Sequence, residues 1–321
     1  MTARRVLIDS DTAGDDALAI LLASLSERLN VEGVTIVAGN AEFDYEVANA
    51  KYTLELVDAA GDVPVYEGAR KPLLKSHETA EYVHGAGGLA GLYPDPDVPS
   101  AADHATEFIV ETARANPGEV TLLCIGPLTN VALACAREPR LNELVDEVWV
   151  MGGAFHAPGN VTPAAEYNFW VDPDAAKLVL RELEVSVVGW GVCMESSVLR
   201  GPDIERIADA RDESAYADFF ATIMEPVREF TRHEQGIDGV TQPDSLTVAC
   251  CLDPEIVVES GTYHVDVDER EGLTRGASIA DVNGTTDGEP RTRVIEEVDG
   301  ERFRQVFTDA LVAGDPEKSI R

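Results

Sequence analysis

Predicted strands and helices alternate along nearly the whole chain, and few folds accommodate that alternation. Short β-branched apolar runs are each followed by a segment with apolar residues at helical spacing. In the first sixty residues the order is strand 6–9, helix 15–29, strand 31–38 and helix 46–60. Units of this kind connect right-handedly and place their strands side by side in a parallel sheet.

The alternation continues to the end of the chain. The later elements are helix 105–115, strand 120–125, helix 128–137, strand 145–151, helix 173–183, strand 185–190, a long helix at about 214–233, helix 244–252, antiparallel strands within 263–298 and helix 301–312. We therefore predict an α/β fold with an open, mostly parallel sheet flanked by helices and a small antiparallel strand region near the C-terminus. No linker-like segment divides the chain, so residues 1–321 are expected to form a single domain.

The charge balance restricts the partners of such a fold. The chain has 59 Asp plus Glu against 25 Lys plus Arg, a formal net charge of −34. Binding to a nucleic-acid polymer or an anionic membrane requires clustered cations, so neither partner is expected. Such an acidic chain suits high ionic strength, where the Debye length falls to ~3 Å at 1 M salt. We therefore predict a halophilic source, with an ordinary acidic enzyme as the alternative.

The cysteines and the N-terminus indicate the compartment. Five cysteines, an odd number without CxxC spacing, lie mostly in apolar surroundings. Buried thiols in a reducing compartment fit this pattern better than disulfides or a zinc site. The chain enters a strand-like run at once, with no signal-peptide pattern, and has no apolar stretch of ~18 residues. A cytoplasmic protein is expected.

Four aspartates lie where the first predicted strand gives way to the first predicted helix: Asp9, Asp11, Asp15 and Asp16. The helix dipole alone explains two carboxylates in a first helical turn. Asp9 and Asp11 need another explanation, because unpaired carboxylates leaving a buried strand are costly. Ligands of open α/β sheets bind at this carboxyl edge. Carboxylates with few nitrogen donors suit Ca²⁺ or Mg²⁺ better than Zn²⁺, so we predict a divalent-cation site.

This segment resembles the DxDxGxDDxxAI signature of the inosine-uridine-preferring nucleoside hydrolases, with Ala13 where that family usually has Gly. Other motifs of the family follow in the same order and at similar spacing: Val37-Ala-Gly-Asn40, His84-Gly-Ala-Gly, Gly126-Pro-Leu-Thr129-Asn130, Met151-Gly-Gly, the stretch from Gly159-Asn160 through Glu166 and Asn168 to Asp172-Pro173, and Pro243-Asp244. The resemblance therefore extends from residue 6 to about residue 250.

The resemblance implies a nucleoside hydrolase-like fold and Ca²⁺-dependent hydrolysis of the N-glycosidic bond of ribonucleosides to free base and ribose. The metal ligands that it implies are Asp11, Asp16, Asp244 and the backbone carbonyl of Thr129. Asp11 would take the proton of the metal-bound water. The implied substrate-binding residues are Asp15, Asn40, Met151, Asn160, Glu166, Asn168 and Asp244. The implied partners are a small-molecule ribonucleoside and further copies of the chain, in a homodimer or homotetramer.

Pro243 departs from the family pattern, because many members have a His there that gives a proton to the leaving base. Three accounts are open. His84, our candidate catalytic acid, or His233 could supply the proton; stacking on Tyr82 or Trp170 could raise the pKa of the base; or catalysis could be slow or lost.

Two other functions compete with this interpretation. The missing acid would fit a protein that binds nucleosides or pentoses without turning them over, although the intact set of acidic residues argues against it. Asp9-Ser-Asp11 also mimics the nucleophile and acid of haloacid-dehalogenase-type phosphohydrolases. That family has Thr or Val where this chain has Ala13, and this chain has no Lys in a suitable downstream motif. This alternative therefore ranks lowest.

Overall fold

A computed structural model describes residues 3–313, and the predicted domain 1–321 extends beyond this range at both ends. The strands are β1 (Arg4–Ser10), β2 (Leu29–Ile36), β3 (Val65–Glu67), β4 (Val120–Cys124), β5 (Glu147–Met151), β6 (Val185–Val188), β7 (Val257–Tyr263), β8 (Val265–Val267), β9 (Ser278–Ala280) and β10 (Thr292–Val298). Eight of them form one sheet in the order β3-β2-β1-β4-β5-β6-β10-β7. Its neighbours are parallel except β10 and β7, and β8 pairs with β9 in a separate antiparallel sheet.

Helices connect these strands. They are α1 (Gly14–Ser24), α2 (Phe43–Leu56), α3 (Glu81–His84), α4 (Ala105–Ala115), α5 (Thr129–Arg137), α6 (Leu141–Leu144), α7 (Tyr167–Val171), α8 (Pro173–Glu182), α9 (Trp190–Ser196), α10 (Gly201–Asp209), α11 (Ala215–Ile223), α12 (Glu225–Phe230), α13 (Pro243–Leu252) and α14 (Gly300–Ala313). Short turns of other helix types span Ala86–Gly88, Thr231–Gln235 and Pro254–Ile256.

The sheet has a hydrophobic layer on each face. Successive side chains of a strand point to opposite faces, and β1 shows this clearly. Val6 and Ile8 pack with residues of α1, α2, α13 and α14, whereas Leu7 packs with residues of α4, α5 and α8. Because both faces are covered, the centre of β1, Val6-Leu7-Ile8, is a continuous apolar run rather than an alternating pattern.

The predicted α/β fold with a mostly parallel sheet and a small antiparallel region is confirmed. The predicted long helix 214–233 is wrong, because the chain forms α11, α12 and a π-helical turn there. Pro226 has no backbone N–H and its ring clashes with the preceding helical turn, so a new helix begins around it. The C-terminal region is also not purely antiparallel, since β10 pairs in parallel with β6.

The strand order determines where a ligand can bind. From β1 the chain proceeds outward to β2 and β3, and it then returns to the other side of β1 with β4 and continues to β6. This reversal leaves a crevice beyond the carboxyl ends of β1 and β4, where open α/β sheets bind their ligands. Asp11 and Ile125 directly follow those two strand ends.

Two expectations from composition concern the whole molecule. All five cysteines are buried and free of disulfides, as predicted. Within residues 3–313, every helix is too short or too polar to cross a lipid bilayer.

Candidate active site

A pocket opens at the carboxyl edge of the large sheet, the place where open α/β sheets bind their ligands. Its wall includes eight of the residues predicted from the sequence: Asp15, Asn40, His84, Met151, Asn160, Glu166, Asn168 and Asp244. These residues are far apart in the chain, so the fold gathers them. Asp11, Asp16 and Thr129 do not line the pocket.

Three carboxylates, those of Asp15, Asp16 and Asp244, meet at this pocket, with one oxygen of each within 4.8 Å of the others. Asp15 and Asp16 lie in the first turn of α1, and Asp244 lies in the first turn of α13, which packs against α1. A helix N-terminus favours negative charge. Two neighbouring helix N-termini therefore direct three acidic side chains to one point.

Asp11 lies beside Asp16, although it is not one of the three carboxylates that meet at the pocket. Its Oδ2 accepts a hydrogen bond from the backbone N–H of Asn40 at 2.9 Å. Its Oδ1 is buried and has no hydrogen-bond partner among the described residues. The Asn40 side chain also donates to Asp16 Oδ2 at 3.1 Å, and Ser10 donates to Asp16 Oδ1 at 2.8 Å. Asn40 thus bridges Asp11 and Asp16, while one oxygen of Asp11 is left for a cation or a substrate.

Two small residues accompany Asp11, for different reasons. A Cβ on residue 39 would overlap the Asp11 carboxylate, so Gly39 is required by the close approach of that side chain. Ala13 lies in extended backbone with φ −118°, which any residue adopts. The Ala in place of the family's usual Gly is therefore compatible with this loop.

Burial dominates the electrostatics of the acidic group. It raises the pKa of Asp15 and of Asp16 to about 6. Burial, with the charges of the neighbouring carboxylates, raises the pKa of Asp11 and of Asp244 well above the usual value. Four carboxylates this close cannot all ionise at low cost without a cation. Because the donors are all oxygens, the group fits a hard divalent ion such as Ca²⁺ or Mg²⁺.

Glu166 and Asn168 fasten α7 to the ends of neighbouring strands. Glu166 accepts hydrogen bonds from the backbone N–H groups of Asn168 at 2.8 Å and Gly153 at 2.9 Å, and burial raises its pKa to about 7. The Asn168 side chain donates to the carbonyls of Ile125 at 3.1 Å and Met151 at 3.2 Å. Both residues therefore line the pocket in defined orientations, with Asn168 Oδ1 as the atom that can meet a ligand.

Thr129 is not placed with this group, contrary to the predicted metal ligand. It is the first residue of α5, so its carbonyl faces the next turn of that helix. Its hydroxyl donates to Asp172 at 2.7 Å. The backbone carbonyl at this edge is that of Ile125, which lines the pocket directly after β4. Sequence reasoning missed Ile125, although its position at a predicted strand end was the available signal.

His84 lines the pocket, with its Nδ1 3.7 Å from Asp15 Oδ1. Burial lowers the pKa of His84 to about 4, although the charge of Asp16 opposes this shift. At neutral pH the ring is therefore uncharged. It can donate its N–H to a ligand but holds no additional proton, which weakens the prediction that His84 is the catalytic acid.

The other residues predicted to assist departure of the base differ in whether they line this pocket. Tyr82 lines the pocket together with Phe230 of α12, and their rings meet edge to face at 5.8 Å. Trp170 lies outside it, beneath the Arg275 guanidinium at 4.2 Å. His233 is exposed in the π-helical turn and is not part of the wall. Sequence reasoning did not single out Phe230, because no family motif covers the segment between residues 173 and 243.

Comparison with known proteins matches nearly the whole chain to the family that its motifs resemble. The family model described as inosine-uridine preferring nucleoside hydrolase matches residues 6–305. A pyrimidine-specific ribonucleoside hydrolase, RihA, of Enterobacter sp. (strain 638) is 33% identical over 319 residues, covering 98% of this chain and 99% of the relative.

Solved structures agree with this match. A plant nucleoside hydrolase, the PpNRh1 enzyme, superimposes with a TM-score of 0.90 at 31% identity and covers 97% of this chain and 99% of that one. A purine-preferring ribonucleoside hydrolase from Gardnerella vaginalis superimposes with a TM-score of 0.89 at 27% identity, covering 97% and 98%. The fold, the acidic group at the sheet's switch point and these matches together place the chain in the inosine-uridine preferring nucleoside hydrolase family, whose members are N-glycosidic hydrolases.

Proposed function

We propose that the protein hydrolyses the N-glycosidic bond of ribonucleosides to free base and ribose, with Ca²⁺ as its metal ion. The observation that carries this proposal is the meeting of the Asp15, Asp16 and Asp244 carboxylates at the pocket, with Asp11 beside Asp16 and its buried Oδ1 without a hydrogen-bond partner among the described residues. Asp11, Asp16, Asp244 and the Ile125 carbonyl would hold the ion. Bound there, Ca²⁺ would make a coordinated water more acidic and offset the repulsion among the carboxylates.

The chain's own residues would carry out the remaining work. Asp11, whose pKa is raised by burial, accepts the proton of the attacking water. The carboxylates around the sugar stabilise the positive charge that develops on the ribose ring. Asp15, Asn160, Glu166 and Asn168, which line the pocket, bind the ribose hydroxyls.

Departure of the base needs a different account, because Pro243 and neutral His84 supply no acidic proton. We propose that His84 donates a hydrogen bond to the bound nucleoside, and that Tyr82 and Phe230 provide aromatic contact for the base. Both aromatic rings line the pocket, which supports this assignment. The departing base then takes its proton from a solvent water rather than from an imidazolium, while the proton accepted by Asp11 is returned to solvent.

A panel of purine and pyrimidine ribonucleosides tests the proposed function. We expect free ribose from at least one nucleoside with Ca²⁺, loss of release after EDTA treatment, and recovery on adding Ca²⁺ but not an equal amount of Mg²⁺. Calorimetry with Ca²⁺ and with nucleosides is run on the same samples. Binding of both without any ribose would favour the binding-only alternative, whereas phosphate release from nucleotides without base release would favour the phosphohydrolase.

We further propose that the protein is adapted to high ionic strength, because of its net charge of −34. The unfolding temperature should rise continuously as KCl increases to about 2 M, since screening reduces repulsion among surface carboxylates. Sucrose of equal osmolality is the control, because it strengthens burial without screening charge. Full stability in the absence of added salt would contradict the adaptation.

A further inference from the structure

Glu46 is a fully buried residue near the start of α2, and its carboxylate contacts the loop that carries Asn40. Its Oε1 accepts hydrogen bonds from the backbone N–H of Gly39 at 2.9 Å and of Ala41 at 3.0 Å. These are the two peptide groups that flank Asn40. A buried carboxylate is costly, and here Oε1 reduces that cost by accepting from two buried N–H groups, whereas Oε2 has no hydrogen-bond partner among the described residues.

The N–H group between those two serves the acidic group. Asn40 N–H donates to Asp11 Oδ2 at 2.9 Å, and the Asn40 side chain donates to Asp16 Oδ2 at 3.1 Å. Of three consecutive N–H groups, those of residues 39 and 41 thus donate to Glu46, and the one between them, of residue 40, donates to Asp11. The orientation of Asn40, and with it the separation of Asp11 from Asp16, depends on the anchoring of both neighbouring peptides.

Other contacts hold the carbonyl side of the same loop. Tyr167 donates its hydroxyl to the Gly39 carbonyl at 2.7 Å, and the Asn40 carbonyl accepts from the N–H of Ala80 at 2.8 Å. None of these contacts involves the N–H donors of Gly39 and Ala41. Within the described residues, Glu46 is the side chain that does so.

We propose that Glu46 is a positioning residue: its carboxylate clamps the Gly39–Ala41 loop so that Asn40 sets the geometry of Asp11 and Asp16. This inference deepens the proposed function and rests on it. The essential property is the reach of an acceptor oxygen to two N–H groups rather than the negative charge. Outer groups that orient ligands of a metal typically change affinity or activity by about 10- to 100-fold when they are removed.

Two conservative variants separate reach from charge. Glu46→Gln keeps an acceptor oxygen at the same distance but removes the charge, whereas Glu46→Asp keeps the charge but withdraws the oxygen by one methylene. We expect Glu46→Gln to stay within about threefold of the wild-type kcat and Ca²⁺ affinity. Glu46→Asp should lose about 10- to 100-fold in kcat and in Ca²⁺ affinity, with a smaller change in KM.

Glu138→Asp is the matched control. Glu138 is 5% exposed and accepts from the Arg140 N–H and the Arg114 side chain, far from the pocket. This variant should lower the unfolding temperature while leaving kcat and Ca²⁺ affinity unchanged. If Glu46→Asp, like Glu138→Asp, leaves kcat and Ca²⁺ affinity unchanged, the positioning role is wrong. It is also wrong if Glu46→Gln loses more kcat and Ca²⁺ affinity than Glu46→Asp.

The Ca²⁺ titration is measured directly, by calorimetry without nucleoside. Wild-type protein that binds Ca²⁺ but releases no ribose would contradict the proposed function, and the Ca²⁺ affinities of the two Glu46 variants would still decide on the clamp. Circular dichroism confirms that each variant is folded before its affinity is compared.

Discussion

Replacing Asp11 with Asn should lower kcat for ribose release at saturating Ca²⁺ by about 10²- to 10⁴-fold, the range expected for loss of a general base. The amide has nearly the same volume, and its oxygen can still accept from the Asn40 N–H, now at 2.9 Å from Asp11 Oδ2. The fold is therefore retained, while the group that accepts the proton is lost. Single-turnover measurement of ribose formation, after Ca²⁺ saturation has been verified by calorimetry, checks this result.

Asp172→Asn provides the comparison for that variant. Asp172 is also fully buried, but it caps α8 and accepts from the Leu73 and Ala175 N–H groups away from the pocket. It should change the unfolding temperature and leave kcat within about threefold, because loss of a cap affects stability. An Asp11→Asn enzyme that keeps more than about a tenth of the wild-type kcat would exclude Asp11 as the base.

A ribonucleoside should be hydrolysed roughly 10⁴-fold better in kcat/KM than its 2′-deoxy analogue, because a site built to bind a hydroxyl rejects a ligand without it. The Glu166 and Asp15 carboxylates, which line the pocket, would face an apolar methylene instead of a donor. The base, and hence the leaving group, is identical in each pair. Uridine with deoxyuridine and inosine with deoxyinosine, compared by base release, cover both classes of nucleoside.

Intrinsic reactivity works against this prediction, which makes the comparison stringent. The electron-withdrawing 2′-hydroxyl disfavours the positive charge that develops on the sugar ring, so the deoxy compound is the more reactive in solution. Any preference for the ribonucleoside must therefore come from the protein. Comparable rates for the two members of a pair would mean that the residues assigned to ribose do not bind the 2′-hydroxyl.

Much of the fold was predictable because strand and helix periodicity reports local burial. Strand 120–125 and helix 105–115 were predicted to within one residue of β4 and α4. The prediction of one long helix at 214–233 failed because the apolar spacing continues through Pro226, whereas a proline interrupts the hydrogen bonds of a helical backbone. The parallel pairing of β10 with β6 was not predicted either, since pairing partners depend on the path of the whole chain.

The acidic residues of the site also differ in whether the sequence alone revealed them. The cluster from Asp9 to Asp16 was visible as a pattern, because its members are close in sequence and a buried strand precedes them. Asp244 entered through the family motif, and its contact with Asp15 and Asp16 is a product of α13 packing against α1. Glu46 carried no signal at all, since an acidic residue at the start of a helix is ordinary.

By itself the sequence determined the class of fold, the family and the residue types available for catalysis, because these depend on local periodicity and on ordered motifs. The tertiary structure alone decided that the Ile125 carbonyl rather than Thr129 lies at the pocket, that His84 is buried and neutral, and that Glu46 holds the loop of Asn40. The physical reason is that burial and hydrogen bonding at this site join residues from separate strands and helices. Their distances depend on strand order and helix packing, which no local pattern encodes.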